Sequence, residues 1–147
     1  MVEVSRNAKK LARRPQTQED ETMPDNIRII RAHDFIIATP EGQLDLEKSE
    51  KLLMEIASAS AQLVDYEILL DTRKAQTEMS VTDLWHLAAE LSKVRGTFFR
   101  KKIAVLCPLA QFDDTEFFAL CAQNRGFQVG AFTSFEDAIE WLIANGT

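Results

Sequence analysis

The run Tyr66-Glu67-Ile68-Leu69-Leu70-Asp71-Thr72-Arg73 constrains this chain more than any other stretch. Three large aliphatics in a row, ending on an acid and flanked by helical periodicity, are the pattern of a strand buried on both faces. Such strands are parallel, and parallel strands need crossover connections, so the chain must alternate strand and helix. Asp71 then falls at the strand's carboxyl end, where open α/β sheets place their working surface. The polar connection Lys74 to Met79 follows, and a helix starts at Ser80.

The flanking segments fit that scheme. Ile27-Arg28-Ile29-Ile30-Arg31 and Phe35-Ile36-Ile37-Ala38-Thr39 read as two strands joined in a hairpin by Ala32-His33-Asp34. After Pro40-Glu41-Gly42-Gln43, Asp45 can cap a helix that runs to about Leu63, with Leu46, Leu53, Ile56, Ala57, Ser60 and Leu63 on one face. The second helix spans Ser80 to Arg95, with Ser80 and Asp83 in the spacing of a capping box. Val81, Leu84, Leu87, Ala88, Leu91 and Val94 form its apolar face, and Gly96 is placed to end it in the left-handed conformation. Ile103 to Cys107 is a second continuous apolar strand. A third helix fits Asp113 or Asp114 through Asn124, and a last strand fits Phe127 to Phe132. Thr133-Ser134-Phe135-Glu136 then opens a final helix as a capping box. The fold class is α/β: a five-stranded mixed sheet, an N-terminal hairpin followed by parallel strands, with four helices.

Residues 1–23 carry five basic and four acidic groups and lack apolar periodicity. They read as a disordered or fraying arm, because such a segment buries too little surface to offset its ordering entropy. Residues 24–147 form the one domain, with periodicity from Ile27 to about residue 143. A net charge of −6 speaks against stable nucleic-acid binding, even with Arg6, Lys9, Lys10, Arg13 and Arg14 in the arm. No apolar run reaches the length of a membrane span, and the expected location is the cytoplasm. Cys107 and Cys121 read as buried thiols, and His33 and His86 have no partner at ligand spacing. No nucleophile–base pair, phosphate loop or metal cluster is visible. The chain is therefore expected to be no enzyme and to need no cofactor or metal.

Three segments resemble a known family. Gly42-Gln43-Leu44-Asp45 is similar to its G-x-L-D turn, and Leu70-Asp71 to the L-D at the end of its third strand. Asn124-Arg125-Gly126-Phe127, Phe132-Thr133 and Glu136 to Leu142 resemble its C-terminal strand and "AxxWL" helix. The family is the STAS-type domain (sulphate transporter and anti-sigma factor antagonist) of the SpoIIAA-like fold. The closer resemblance is to bacterial STAS-like proteins grouped with the CRAL-TRIO lipid-binding fold. It implies a non-catalytic regulatory module that binds another protein, a regulatory kinase or anti-sigma-like factor. The alternative it implies is a small apolar ligand or lipid, with Phe98, Phe99, Phe112, Phe117 and Phe118 around a pocket. A homodimer is compatible with either.

Anti-sigma factor antagonists carry D-S-S-G-L at the start of the second helix, whereas this chain has Met79-Ser80-Val81-Thr82-Asp83-Leu84. Ungapped alignment puts Ser80 on the first serine, and a one-residue shift puts Thr82 on the phosphorylated one. These two are the candidate phosphorylation positions. Arg73, Lys74, Ser80, Thr82, Asp83 and Asp45 are the candidate partner-binding residues, with Arg73 and Lys74 as solvated charged contacts.

Overall fold

The computed structural model describes residues 2–6, 27–61, 63 and 65–144. Its main sheet has five strands in the order β1 (Val2–Arg6), β2 (Ile27–Ala38), β4 (Glu67–Asp71), β6 (Lys102–Leu106) and β7 (Gln128–Phe132). A two-stranded sheet pairs β3 (Gly42–Leu44) with β5 (Ala75–Thr77). Four helices of nine or more residues are described: α1 (Leu46–Ala59), α2 (Val81–Glu90), α3 (Phe112–Gln123) and α4 (Phe135–Ile143).

Side chains alternate across the sheet as strand geometry demands. Ile36, Ile68, Ile103 and Val129 join the larger core, with Leu53 and Ile56 of α1, Leu84 and Leu87 of α2, and Phe118 of α3. Phe35, Leu69, Ala104 and Leu106 point the other way, onto Ala138 and Leu142 of α4. The three crossover helices thus share one face and α4 alone covers the other. That two-sided cover explains the unbroken aliphatic runs in β4 and β6. All five side chains of β6 are buried, and each fully buried aliphatic contributes about 1.5–3 kcal/mol relative to exposure.

The α/β class, the five-stranded sheet and the four helices stand, with β1 as a strand that the sequence did not suggest. The segment read as a hairpin, Ile27–Ala38, is one strand element that turns back on itself, since β1 stands opposite both of its ends, which a straight run of twelve residues would hold about 36 Å apart. Val2 to Val4 stand opposite Ile27 to Ile29, and Val2 to Ser5 also stand opposite Ala38 to Phe35, with register shifts along the pair. Val2-Glu3-Val4-Ser5 alternates with the period of a strand. The expected arm is therefore strand over Val2–Arg6. Its remainder, Lys9 to Arg14 included, lies outside the described residues.

Two helix ends also differ. Gly96 lies within a helical turn, Arg95–Phe98, reached through a 3-10 segment, Leu91–Val94. The left-handed residue is Arg100, at φ 70°. Leu91 and Phe98, 0% and 1% exposed, hold this extension against the core and outweigh the glycine's stop signal. At α4 the cap is Ser134, whose hydroxyl accepts from Asp137 N at 3.3 Å, one residue beyond the expected Thr133. Gly126 does end α3 as expected, at φ 91°.

Candidate functional site

Parallel strands put the starts of all four helices at one edge of the sheet, and the β3–β5 pair ties two of the loops there together. Gly42, Gln43 and Leu44 stand opposite Ala75, Gln76 and Thr77, and Glu78 N donates to Leu44 O at 3.0 Å. The loop after β2 and the loop after β4 therefore form one surface. Asp45 and Ser80, both exposed on it, cap α1 and α2.

Each expected residue sits at this edge, but their roles differ. Asp45 Oδ1 accepts from Lys48 N at 2.9 Å. Ser80 Oγ accepts from Asp83 N, and Asp83 Oδ2 accepts from Ser80 N, both at 3.1 Å, completing the capping box. Thr82 is exposed, one residue inside α2. Lys74 is exposed too. Arg73 is exposed as expected, but it is paired within the chain. Its guanidinium closes on Asp71, Nε to Oδ1 at 2.9 Å and a terminal nitrogen to Oδ2 at 2.8 Å, while Arg73 N donates to Oδ1 at 3.0 Å. A half-buried carboxylate ending a core strand needs a cation beside it, and Arg73 is the nearest in sequence. Burial pushes Asp71 upward, but the Arg73 hydrogen bonds and charge, with Lys74, outweigh it and hold the carboxyl below the usual range. The same bonds raise Arg73.

Behind the β4 end, Thr72 is buried. Its N–H and hydroxyl both donate to Leu106 O, at 2.8 and 3.1 Å, which locks the β4 and β6 ends together. Beneath this lock a cavity of about 60 Å³ is lined by Leu44, Leu53, Leu84, Leu87, Val105 and Phe118, with Thr72, Thr77 and Thr115 among its polar groups. Of the five phenylalanines expected around a pocket, only Phe118 lines this cavity. Phe98 is core and Phe99 is 40% exposed on the surface.

Sequence reasoning missed three residues at this edge. Val81, placed on the apolar face of α2, is 62% exposed; Leu109, in the β6–α3 connection, is 80% exposed; Phe135, opening α4, is 43% exposed. Leu109 and Val81 are the two most exposed large hydrophobics among the described residues. The only signal was positional. A leucine between Pro108 and Ala110, ahead of the helix, has no periodic partners to bury against.

The edge is also strongly acidic. Segments 39–48, 71–83, 107–116 and 133–137 hold eleven acidic residues against three basic ones. Asp45 and Asp83 already occupy N–H groups of their helix starts. These two helix starts thus carry anions that the chain itself supplies. Among the described residues no group of three or more histidines, cysteines or carboxylates could hold a metal ion. Both cysteines are buried and free. No described helix is long and apolar enough to cross a membrane.

No protein-family model matches the sequence, and no curated protein matches it. Among solved structures, an uncharacterized protein of the DUF3478 family from Shewanella loihica PV-4, described as having a SpoIIAA-like fold, is similar. The match has a TM-score of 0.51 at 19% identity and covers 76% of this chain and 86% of that one. At that identity the likeness speaks for the fold, and the fold of this chain is SpoIIAA-like.

Proposed function

We propose that this chain is a non-catalytic regulatory module that binds another protein through the carboxyl edge of its sheet. One observation carries the reading. The two most exposed large hydrophobics among the described residues, Leu109 and Val81, share that edge, with Phe135 on a third connection. Solvent-facing apolar groups within a polar rim are the anatomy of a docking surface. The acidic rim calls for a basic partner surface, and charge of one sign there speeds encounter more than it tightens binding. Of the two candidate modification positions, Thr82 is the more available. Ser80 Oγ is engaged as the helix cap, whereas Thr82 is exposed on the first turn, where a phosphate would meet the helix dipole.

A lipid reading finds less support. Pockets for drug-sized ligands run to about 300–1,000 Å³, well above the cavity's 60 Å³. The test is site-specific photocrosslinking in cells of the source organism, with the photoreactive residue at Val81, at Leu109, or at the exposed Ser58 on α1. One shared protein adduct at Val81 and Leu109, missing at Ser58, is expected. Adducts at Ser58 alone would place docking elsewhere.

A further inference from the structure

The opposite edge of the sheet, where strands start and helices end, has the reverse charge. Segments 60–67, 90–102 and 123–128 hold six basic residues against three acidic ones. Part of that polarity is generic, since acids suit helix starts and bases suit helix ends. The arrangement of its arginines is not. The guanidinium of Arg100 lies 5.7 Å from the centroid of the exposed Phe99 ring, and that of Arg95 lies 5.5 Å from the same ring and 4.8 Å from Phe127. Arg95 donates to Arg125 O at 2.7 Å, and Arg125 in turn sits 4.8 Å over Trp85, which is 47% exposed. Arg100, Phe99, Arg95, Arg125 and Trp85 thus form one continuous stripe of guanidinium and aromatic groups. Among the described residues, none of its three arginines forms an ion pair with a carboxylate. Arg100 also holds a left-handed backbone at φ 70°, a cost that a non-glycine residue bears where the surroundings demand it.

Arginine and tryptophan are the residues enriched at the centres of protein interfaces. Single-stranded nucleic acid also takes arginines and aromatics, but three phosphate contacts give a salt slope of only about −2 and correspondingly weak binding. The net charge of −6 opposes it further. The complement of the stripe lies on the same molecule: an acidic edge with Val81 and Leu109 exposed in it.

We propose that the stripe docks on the carboxyl edge of a second copy, so that the chain associates head to tail. This rests on the docking role of that edge and names a partner for it. The two surfaces differ, so the contact is heterologous and repeats from copy to copy unless the rotation closes a ring. Salt weakens it, because the matched charges are exposed.

Sedimentation equilibrium over a hundredfold range of protein concentration tests this, at low and at high salt. Wild type should rise in weight-average mass past the dimer at low salt and fall back to monomer at high salt. Arg95→Glu/Arg100→Glu and Asp113→Lys/Glu116→Lys should each stay monomeric, and an equimolar mixture of the two should form a 1:1 dimer that goes no further. If Arg95→Glu costs the fold, Arg100→Glu alone should shift the association at least fivefold. Wild type that is monomeric throughout overturns the proposal, as does a mixture that stays monomeric. Low-salt binding of a labelled oligo-dT to a monomeric wild type would assign the stripe to nucleic acid instead. None of these failures touches the docking of a different protein at Val81 and Leu109, which crosslinking reads separately.

Discussion

Arg73 closes on both carboxylate oxygens of Asp71, two residues earlier, at 2.9 and 2.8 Å. The pair fixes the end of β4 and the start of the loop that β5 joins to the neighbouring connection. A carboxylate with a depressed folded pKa adds stability above its unfolded value, near 3.9, and loses it as pH falls through the folded value. In Arg73→Ala the side-chain bonds and the charge are lost while the backbone N–H bond and Lys74 remain, so Asp71 should titrate higher than in the wild type. Carboxyl NMR titration of both proteins checks this. Stability at neutral pH should fall by about 1 kcal/mol, no more, because Arg73 is half exposed. An unchanged Asp71 midpoint would show that the ion pair does not set its acidity.

Lys102 ties the far edge of the sheet to α4. It is 5% exposed, and its ammonium donates to Trp141 O at 2.9 Å and Ala144 O at 2.8 Å, carbonyls left open at the helix end. Lys102→Met keeps the stem and removes both bonds. Denaturant unfolding should show a loss of roughly 2–3 kcal/mol, the worth of charge-assisted bonds to a helix end. Amide exchange should quicken first in α4. A loss under about 0.5 kcal/mol would mean that the carbonyls find water without cost.

Gly96 and Arg100 exchange the roles that the sequence suggests. Gly96 sits in a helical turn with open space where a Cβ would go, so Gly96→Ala should stabilise by about 0.5–1 kcal/mol. Arg100→Gly should also stabilise, by about 1 kcal/mol, through relief of the left-handed backbone. Thermal unfolding of the two variants decides it. A lower melting temperature for Gly96→Ala would restore the left-handed helix end at Gly96.

What was legible follows from which signals are local. Ile68-Leu69-Leu70 and Ile103 to Leu106 announced strands covered on both faces because a run without alternation has no other stable place. Ser80 and Asp83 announced their capping box because both partners lie within one turn. The pairing of β1 with β2 was not legible, since it depends on which distant segment meets an open edge. Arg73 was read as a free contact because sequence shows its charge but not the carboxylate it turns back to. Val81 was read as core because helical periodicity places it beside Leu84 and Leu87, yet as the first residue of α2 it is 62% exposed.

Ser80→Ala separates cap from docking surface. It removes the side-chain acceptor for Asp83 N and should cost about 1 kcal/mol of stability. Partner affinity should change less than twofold, measured by calorimetry with the crosslinked protein once purified. A tenfold loss of affinity at unchanged stability would make Ser80 a direct contact.

The affinity of that purified partner for a Val81→Ser/Leu109→Ser variant tests the docking edge most directly. Both side chains are exposed, so the variant should unfold at the wild-type temperature. Removing two apolar contacts at the centre of an interface should weaken binding at least tenfold, about 1.4 kcal/mol or more. Wild-type affinity in a folded Val81→Ser/Leu109→Ser protein would contradict docking at the carboxyl edge.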